Sequence, residues 1–324
     1  MQRRRFIALG GAALAAPAFV RAALAQDYPT RFVRLVVPFP PGGAVDGAAR
    51  IIAARLGEMW GQQMVIENRP GAGGNVAAQA VLQADADGYT VYIASIGHAI
   101  SQFVTPSLSY HPVTDFAPVT LMCVYPNIMA VPNSSPSKSV PEFIARAKAE
   151  PGKVTYCSSG IGTSLHLAGE LFKRMAGIDV THIPYRGAGP ALNDLIPGRV
   201  DAIFANFPST LPYVQNGQLR GLAVTTAKRQ PEVPDLPAIG EFVPGYDVSS
   251  WFALFASAKA PPDIVAKLNA DAVAALNYPA VKERYAQLGA TVVGSTPDEL
   301  AAHLKAEMER WGPIIKAAGI KVEQ

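Results

Sequence analysis

Four times along the chain, a short β-branched or aromatic run ends in a glycine-rich turn and passes straight into an alanine-rich stretch with helical spacing. The first unit is residues 32–37, 38–43 and 44–59, and the second is 64–67, 68–74 and 76–83. The third is 153–157, 158–163 and a helix to about Ala176, and the fourth is 179–183, 185–189 and a short helix to Leu195. Strands that alternate with helices predict a mostly parallel sheet covered on both faces. Two units before the proline-bearing loop 132–136 and two after it predict two α/β lobes. The proline-dense stretch 231–244 reads as another loop, followed by a buried strand at 249–256 and helices at 262–276, 280–288 and 297–315. Thr296, Pro297 and Glu299 have the spacing of a capping box at the start of the last helix.

The first residues constrain the compartment. Three arginines in residues 1–5, an apolar run at 6–20 and small residues at Ala23 and Ala25 form the three-part layout of an export signal. The run is too short for a permanent membrane helix, no cysteine marks a lipid anchor, and the paired arginines look like a twin-arginine signal. Removing residues 1–25 of 324 leaves 299, more than one core usually serves. It also removes four of the 28 basic residues and none of the 25 acidic ones, which turns a formal charge of +3 into −1. The basic stripe of a nucleic-acid binder is therefore absent. The expected division is signal 1–25, a first lobe of 26–125 plus about 250–290, and a second lobe of about 126–249 plus a C-terminal helix at about 291–324. Cys123 and Cys157 lie in separate apolar strands and read as two buried thiols more readily than as a bridge.

Glycine turns between strand and helix bring backbone close to a guest, and a helix N-terminus presents unpaired N–H groups and a partial positive charge. In open α/β sheets such turns gather at the carboxyl ends of the strands, so small anions are the expected ligands. Nucleotide readings fail: residues 71–76 place Val76 where a dinucleotide turn needs a small residue, and no turn ends in Lys-Ser/Thr. Ser159 lacks the flanking glycines of a nucleophile elbow. The five histidines show no metal-ligand spacing. Asp46 and Asp201 are the carboxylates nearest the turns, Asp46 reading first as a helix-start charge. Phe39, Tyr185, Phe204 and Phe207 are candidate apolar walls.

Six ordered segments carry a family resemblance: 38–46, 67–75, 87–90, 158–162, 183–187 and 250–252. Together they resemble the Bug family, the periplasmic receptors of tripartite tricarboxylate transporters, over about residues 28–320. The resemblance implies a two-lobed periplasmic binding-protein fold of the type II kind; since no catalytic or metal-ligand constellation emerges from the residues, neither catalysis nor a cofactor or metal is expected. It implies capture of a small organic acid, amino acid or aromatic carboxylate by the loop at 39–46 and by second-lobe loops at 158–164 and 185–188. Integral-membrane transporter components are the implied partners of a monomeric receptor. The expected ligand-binding residues are Phe39, Pro40, Gly42, Gly43, Asp46, Ser95, Ser158, Ser159, Gly162, Thr163, Ser164, Tyr185, Gly187, Ala188, Asp201 and Phe204. Val45 stands where the family often has a hydroxyl, and Cys157 replaces a common small residue. Two rival functions are a sensory partner of a membrane histidine kinase and a serine hydrolase using Ser159.

Overall fold

The computed structural model describes residues 28–321; the export signal read at residues 1–25 lies outside them. The chain builds β1 (Val33–Val37), α1 (Ala44–Trp60), β2 (Met64–Asn68), α2 (Asn75–Leu82), β3 (Thr90–Ala94), α3 (Ile96–Val104) and β4 (Phe116–Tyr125). After Pro126 come β5 (Asn127–Pro132), α4 (Val140–Ala149), β6 (Thr155–Ser158), α5 (Ser164–Ala176), β7 (Thr181–Pro184) and α6 (Ala188–Leu195). β8 (Ala202–Asn206), α7 (Phe207–Gln215) and β9 (Leu219–Val224) follow. The chain ends with β10 (Ser250–Ser257), α8 (Pro262–Asn277), α9 (Pro279–Gln287), β11 (Thr291–Val292) and α10 (Pro297–Ala318).

Two sheets form, in the orders β11-β4-β10-β3-β1-β2 and β7-β6-β8-β5-β9. Both are mixed, where mostly parallel sheets were expected. β1 runs parallel to β2 and β3, and β6 parallel to β7 and β8. β10 runs antiparallel to β3 and β4, and β5 antiparallel to β8 and β9. The cause is the crossing between lobes. The chain leaves the first sheet along β4 and enters the second directly as β5; it returns as β10 beside β4, with Ser250 opposite Tyr125. A strand that arrives from the other lobe without a crossover helix has no reason to adopt the parallel sense.

Side-chain alternation along β1 divides its residues between layers. Val33, Leu35 and Val37 face α1, α8 and α9, whereas Val36 belongs to a core that also holds α2, α3 and α10. That second core continues through Trp251 and Val248 to Tyr156, Phe172 and Phe204 of the other lobe, so the lobes share buried surface along one side. α6 and α7 cover the remaining face of the second sheet with Leu192, Leu195 and Phe207.

α10, expected with the second lobe, packs most extensively on α3 and β4 of the first sheet, and it also reaches the second lobe, where Arg310 donates to the Asp247 carbonyl and Ile314, Ala317 and Ala318 face α5. An amphipathic pattern tells that a helix has a buried face but not which sheet receives it. Its capping box is present. Thr296 Oγ1 accepts from the Glu299 N–H at 3.2 Å, and Glu299 accepts from the Thr296 N–H at 2.8 Å. No helix among the described residues is long and apolar enough to cross a membrane.

Candidate functional site

Between the sheets lies a cavity of about 600 Å³. Its first-lobe wall is residues 39–45 with Ser95 and Phe252. Its second-lobe wall comprises Ser159, residues 163–165, residues 186–190, Leu192 and, along α7 and its two caps, Asn206, Pro208, Ser209, Pro212, Tyr213 and Asn216. The parallel strands of both sheets deliver their loops from the carboxyl ends, where α/β sheets leave room for a ligand, and Phe252 comes from the amino end of the antiparallel β10.

Five helices begin at this cavity: α1, α3, α5, α6 and α7. The N-caps of four of them, Gly43, Ser95, Gly187 and Asn206, make no side-chain hydrogen bond to the helix they start. Only α5 is capped, by Thr163 accepting from the His166 N–H. First-turn N–H groups have no partner inside a helix, and here most are left for whatever enters. The lining holds no Asp or Glu, and its single cation is Arg186. Converging helix dipoles without a facing carboxylate favour an anion.

The first-lobe loop is held from beneath. Asp46 is 2% exposed; its carboxylate accepts from the Gly42 N–H at 2.9 Å, from Arg50 at 2.8 and 3.1 Å, and from Asn68 Nδ2 at 3.0 Å. Asn68 Nδ2 also donates to the Phe39 carbonyl at 2.8 Å. Burial pushes the Asp46 carboxyl upward, but donation from Arg50, Gly42 and Asn68 outweighs it, and the net shift is downward from 3.8. Because the folded pKa is depressed, this stabilisation is present above the ordinary carboxylate range and is lost as pH falls through the folded value. Asp46→Ala is expected to cost about 1–3 kcal/mol and to loosen residues 39–43. A fall in melting temperature together with weaker ligand binding, read by calorimetry, would verify it.

The second-lobe loops rest on a stacked pair of histidines, His166 buried and His182 half-buried. The Gly162 N–H donates to His166 Nδ1 at 3.2 Å, and the His166 ring stacks on His182 with centroids 4.1 Å apart. His182 Nε2 lies 2.7 Å from Ser158 Oγ, which also accepts from the Gly160 N–H at 3.2 Å. Burial pushes His166 down to about 4; burial, with His166 and Lys173 nearby, pushes His182 down to about 3. Both rings are neutral props at physiological pH. Gly187 donates to the Ser159 carbonyl at 3.2 Å, which ties the β7–α6 loop to the β6–α5 loop. Gly187 has φ +117°, a conformation that a side chain would strain, and a Cβ placed there would stand 3.8 Å from Pro40 Cγ of the other lobe. The lobes therefore meet directly across the mouth.

Of the residues picked from the sequence, Phe39, Pro40, Gly42, Gly43, Ser95, Ser159, Thr163, Ser164, Gly187 and Ala188 line the cavity. Tyr185 lines an adjoining compartment of about 590 Å³, together with residues 70–74; Phe39, Pro40, Ser159, Thr163 and Arg186 separate the two spaces. Gly162 sits against Gly97 of α3, where the lobes touch. Asp46 and Ser158 are buried supports of the loops. Three residues lie away from the cavity that the sequence predicts for them. Asp201 precedes β8, at the end away from the cavity, where it accepts from Arg146, from the Thr155 N–H and from Thr155 Oγ1. Phe204 and Phe207 are core residues, Phe204 packing between Tyr156 and Phe172. The reading missed Asn206, Ser209, Tyr213, Asn216 and the aromatic wall Phe252. Asn206 did leave a signal, since Asn followed two residues later by Pro208 is a helix-start pattern.

Known proteins of the same build fit this geometry. Protein BugT of Bordetella pertussis is 34% identical over the full length of both chains. The structure of R. palustris Rpa4515 with adipate superposes with a TM-score of 0.88 at 43% identity, covering 91% of this chain and 99% of that one. MatC (Rpa3494) from Rhodopseudomonas palustris with bound malate gives 0.84 at 34% identity, over 89% and 100%. Residues 48–320 match the model of the tripartite tricarboxylate transporter family receptor, TctC. With five helix starts facing one interlobe cavity and that match over most of its length, the chain belongs to the TctC, or Bug, family of solute-binding receptors.

Proposed function

We propose that this protein works in the periplasm, capturing a small aliphatic dicarboxylate between its lobes and presenting it to the membrane components of a tripartite transporter. One observation carries the reading: uncapped helix starts from both lobes surround a cavity whose lining has one arginine and no acid. The adipate and malate held by two relatives have the matching chemistry. A ligand favours the closed form only by binding it better than the open one. Here α1 and α3 contribute from one lobe and α5, α6 and α7 from the other, so a carboxylate that bridges them rewards closure.

Isothermal titration of the purified mature protein with a panel of C4 to C8 dicarboxylates is expected to give at least one saturable, roughly one-to-one binding curve. A panel without binding would overturn the proposal. Hydrolysis is the weaker reading, because His182, the base nearest the serine pair, engages the buried Ser158 hydroxyl and not Ser159.

A further inference from the structure

Building on the reading of the cavity as a carboxylate site, we infer that Ser164 selects acids bearing a second group that donates a hydrogen bond, a hydroxyl or an ammonium. Ser164 opens α5 and lines the cavity. Its Oγ lies 2.5 Å from the Oγ of Ser250, a residue 1% exposed at the point where β10 re-enters the first lobe. Ser250 Oγ also lies 2.8 Å from the Asn127 side-chain amide and 2.7 Å from that of Asn206. The two amides meet each other at 2.8 Å, which closes a triangle.

The proton count of that triangle has a single solution. An amide–amide contact needs one N–H and one carbonyl oxygen, whichever way the two asparagines are turned. The nitrogen corner donates to Ser250, and the oxygen corner can only receive from it. Ser250 has one hydroxyl proton, so that proton is committed to the oxygen corner. Ser164 must then give its own proton to Ser250. What Ser164 offers to the cavity is lone pairs alone. A carboxylate oxygen set against them is repelled, whereas a hydroxyl or ammonium hydrogen is accepted. The helix starts take the carboxylates, and Ser164 reads the substituent. Ser250 acts through Ser164 as a positioning residue.

Succinate, malate and aspartate share one carbon frame and differ in this group; adipate and 2-hydroxyadipate repeat the comparison on a longer one. Titration of the wild-type mature protein is expected to show a substituted acid binding about tenfold tighter than its unsubstituted parent, the worth of one well-placed hydrogen bond. Comparing malate with aspartate separates hydroxyl from ammonium. In Ser250→Ala the Ser164 proton is free to turn into the cavity, and the ratio should fall towards one. Ser164→Ala removes the acceptor while leaving the Thr163 cap in place, and should do the same; it decides the matter if Ser250→Ala does not fold. Equal affinity for parent and substituted acids in the wild type, or a ratio that survives both substitutions, overturns the inference while the carboxylate reading stands. Failure of every acid on both frames overturns both.

Discussion

Gly97→Ala should strain the first lobe beside the cavity, lowering its stability and weakening ligand binding about tenfold. Gly97 lies in the first turn of α3, and a Cβ there would fall well inside contact distance of the Gly73 carbonyl oxygen. It would also stand 3.4 Å from the carbonyl oxygen of Gly162 in the other lobe. Both neighbours are backbone, and neither can swing aside as the end of a side chain could. Gly73 sits in the tight turn 71–74, where Gly71, Ala72, Gly73 and Gly74 all have positive φ and little freedom to relax. Overpacking of this kind costs about 1–3 kcal/mol of stability, and displacement of the turn 71–74 and of the α3 start beside Ser95 should cost roughly tenfold in affinity. Thermal unfolding of the variant should show a lower midpoint, and titration with a dicarboxylate that binds the wild type should show the weaker affinity. A melting temperature and affinity equal to the wild type would show that the turn yields.

A second large effect is expected on acidification. His98 and His166 are buried and His182 is half-buried; loss of hydration pushes His98 and His166 down to about 4 and, with His166 and Lys173 nearby, His182 to about 3, from 6.5. Below 6.5 the unfolded chain takes up protons that the folded chain refuses, so stability falls as pH drops from about 6.5 towards 4. Each histidine contributes at most roughly 3 kcal/mol to that loss, at about 1.4 kcal/mol per pKa unit. His98 isolates the effect. It packs among Tyr92, Tyr110, Phe116 and Phe255, its Nε2 donates to the Pro112 carbonyl at 2.8 Å, and its Nδ1 has no partner. In His98→Phe the melting temperature should change less between pH 7 and pH 4.5 than in the wild type. Identical pH profiles for the two proteins would refute this assignment.

How far the sequence carried the structure depends on the range of the interactions. Turn glycines and helix starts are local, and the loops at 39–43, 158–164 and 187–188 could be read because their function sits in their own backbone. Asp201 and Phe204 misled because strand β8 is buried on both sides. Only its last residue, Asn206, reaches the carboxyl end where the cavity opens. The triangle of Asn127, Asn206 and Ser250 joins positions 44 to 123 apart in sequence. No spacing rule brings them together; the two strands that cross between the lobes do. Sheet polarity was hidden for the same reason, since a strand's direction is settled by the lobe it comes from.

The two cysteines bear on how such a receptor releases what it has caught. Cys123 lies in β4 of the first sheet and Cys157 in β6 of the second, both unpaired and fully buried. Burial pushes both thiols upward, Cys157 to about 12, so neither forms the thiolate that disulfide exchange requires. A bridge between these positions would staple the sheets at one separation and trap the cargo. With each sulfur sealed in its own sheet, the oxidising compartment proposed above would not lock the two lobes together through these thiols.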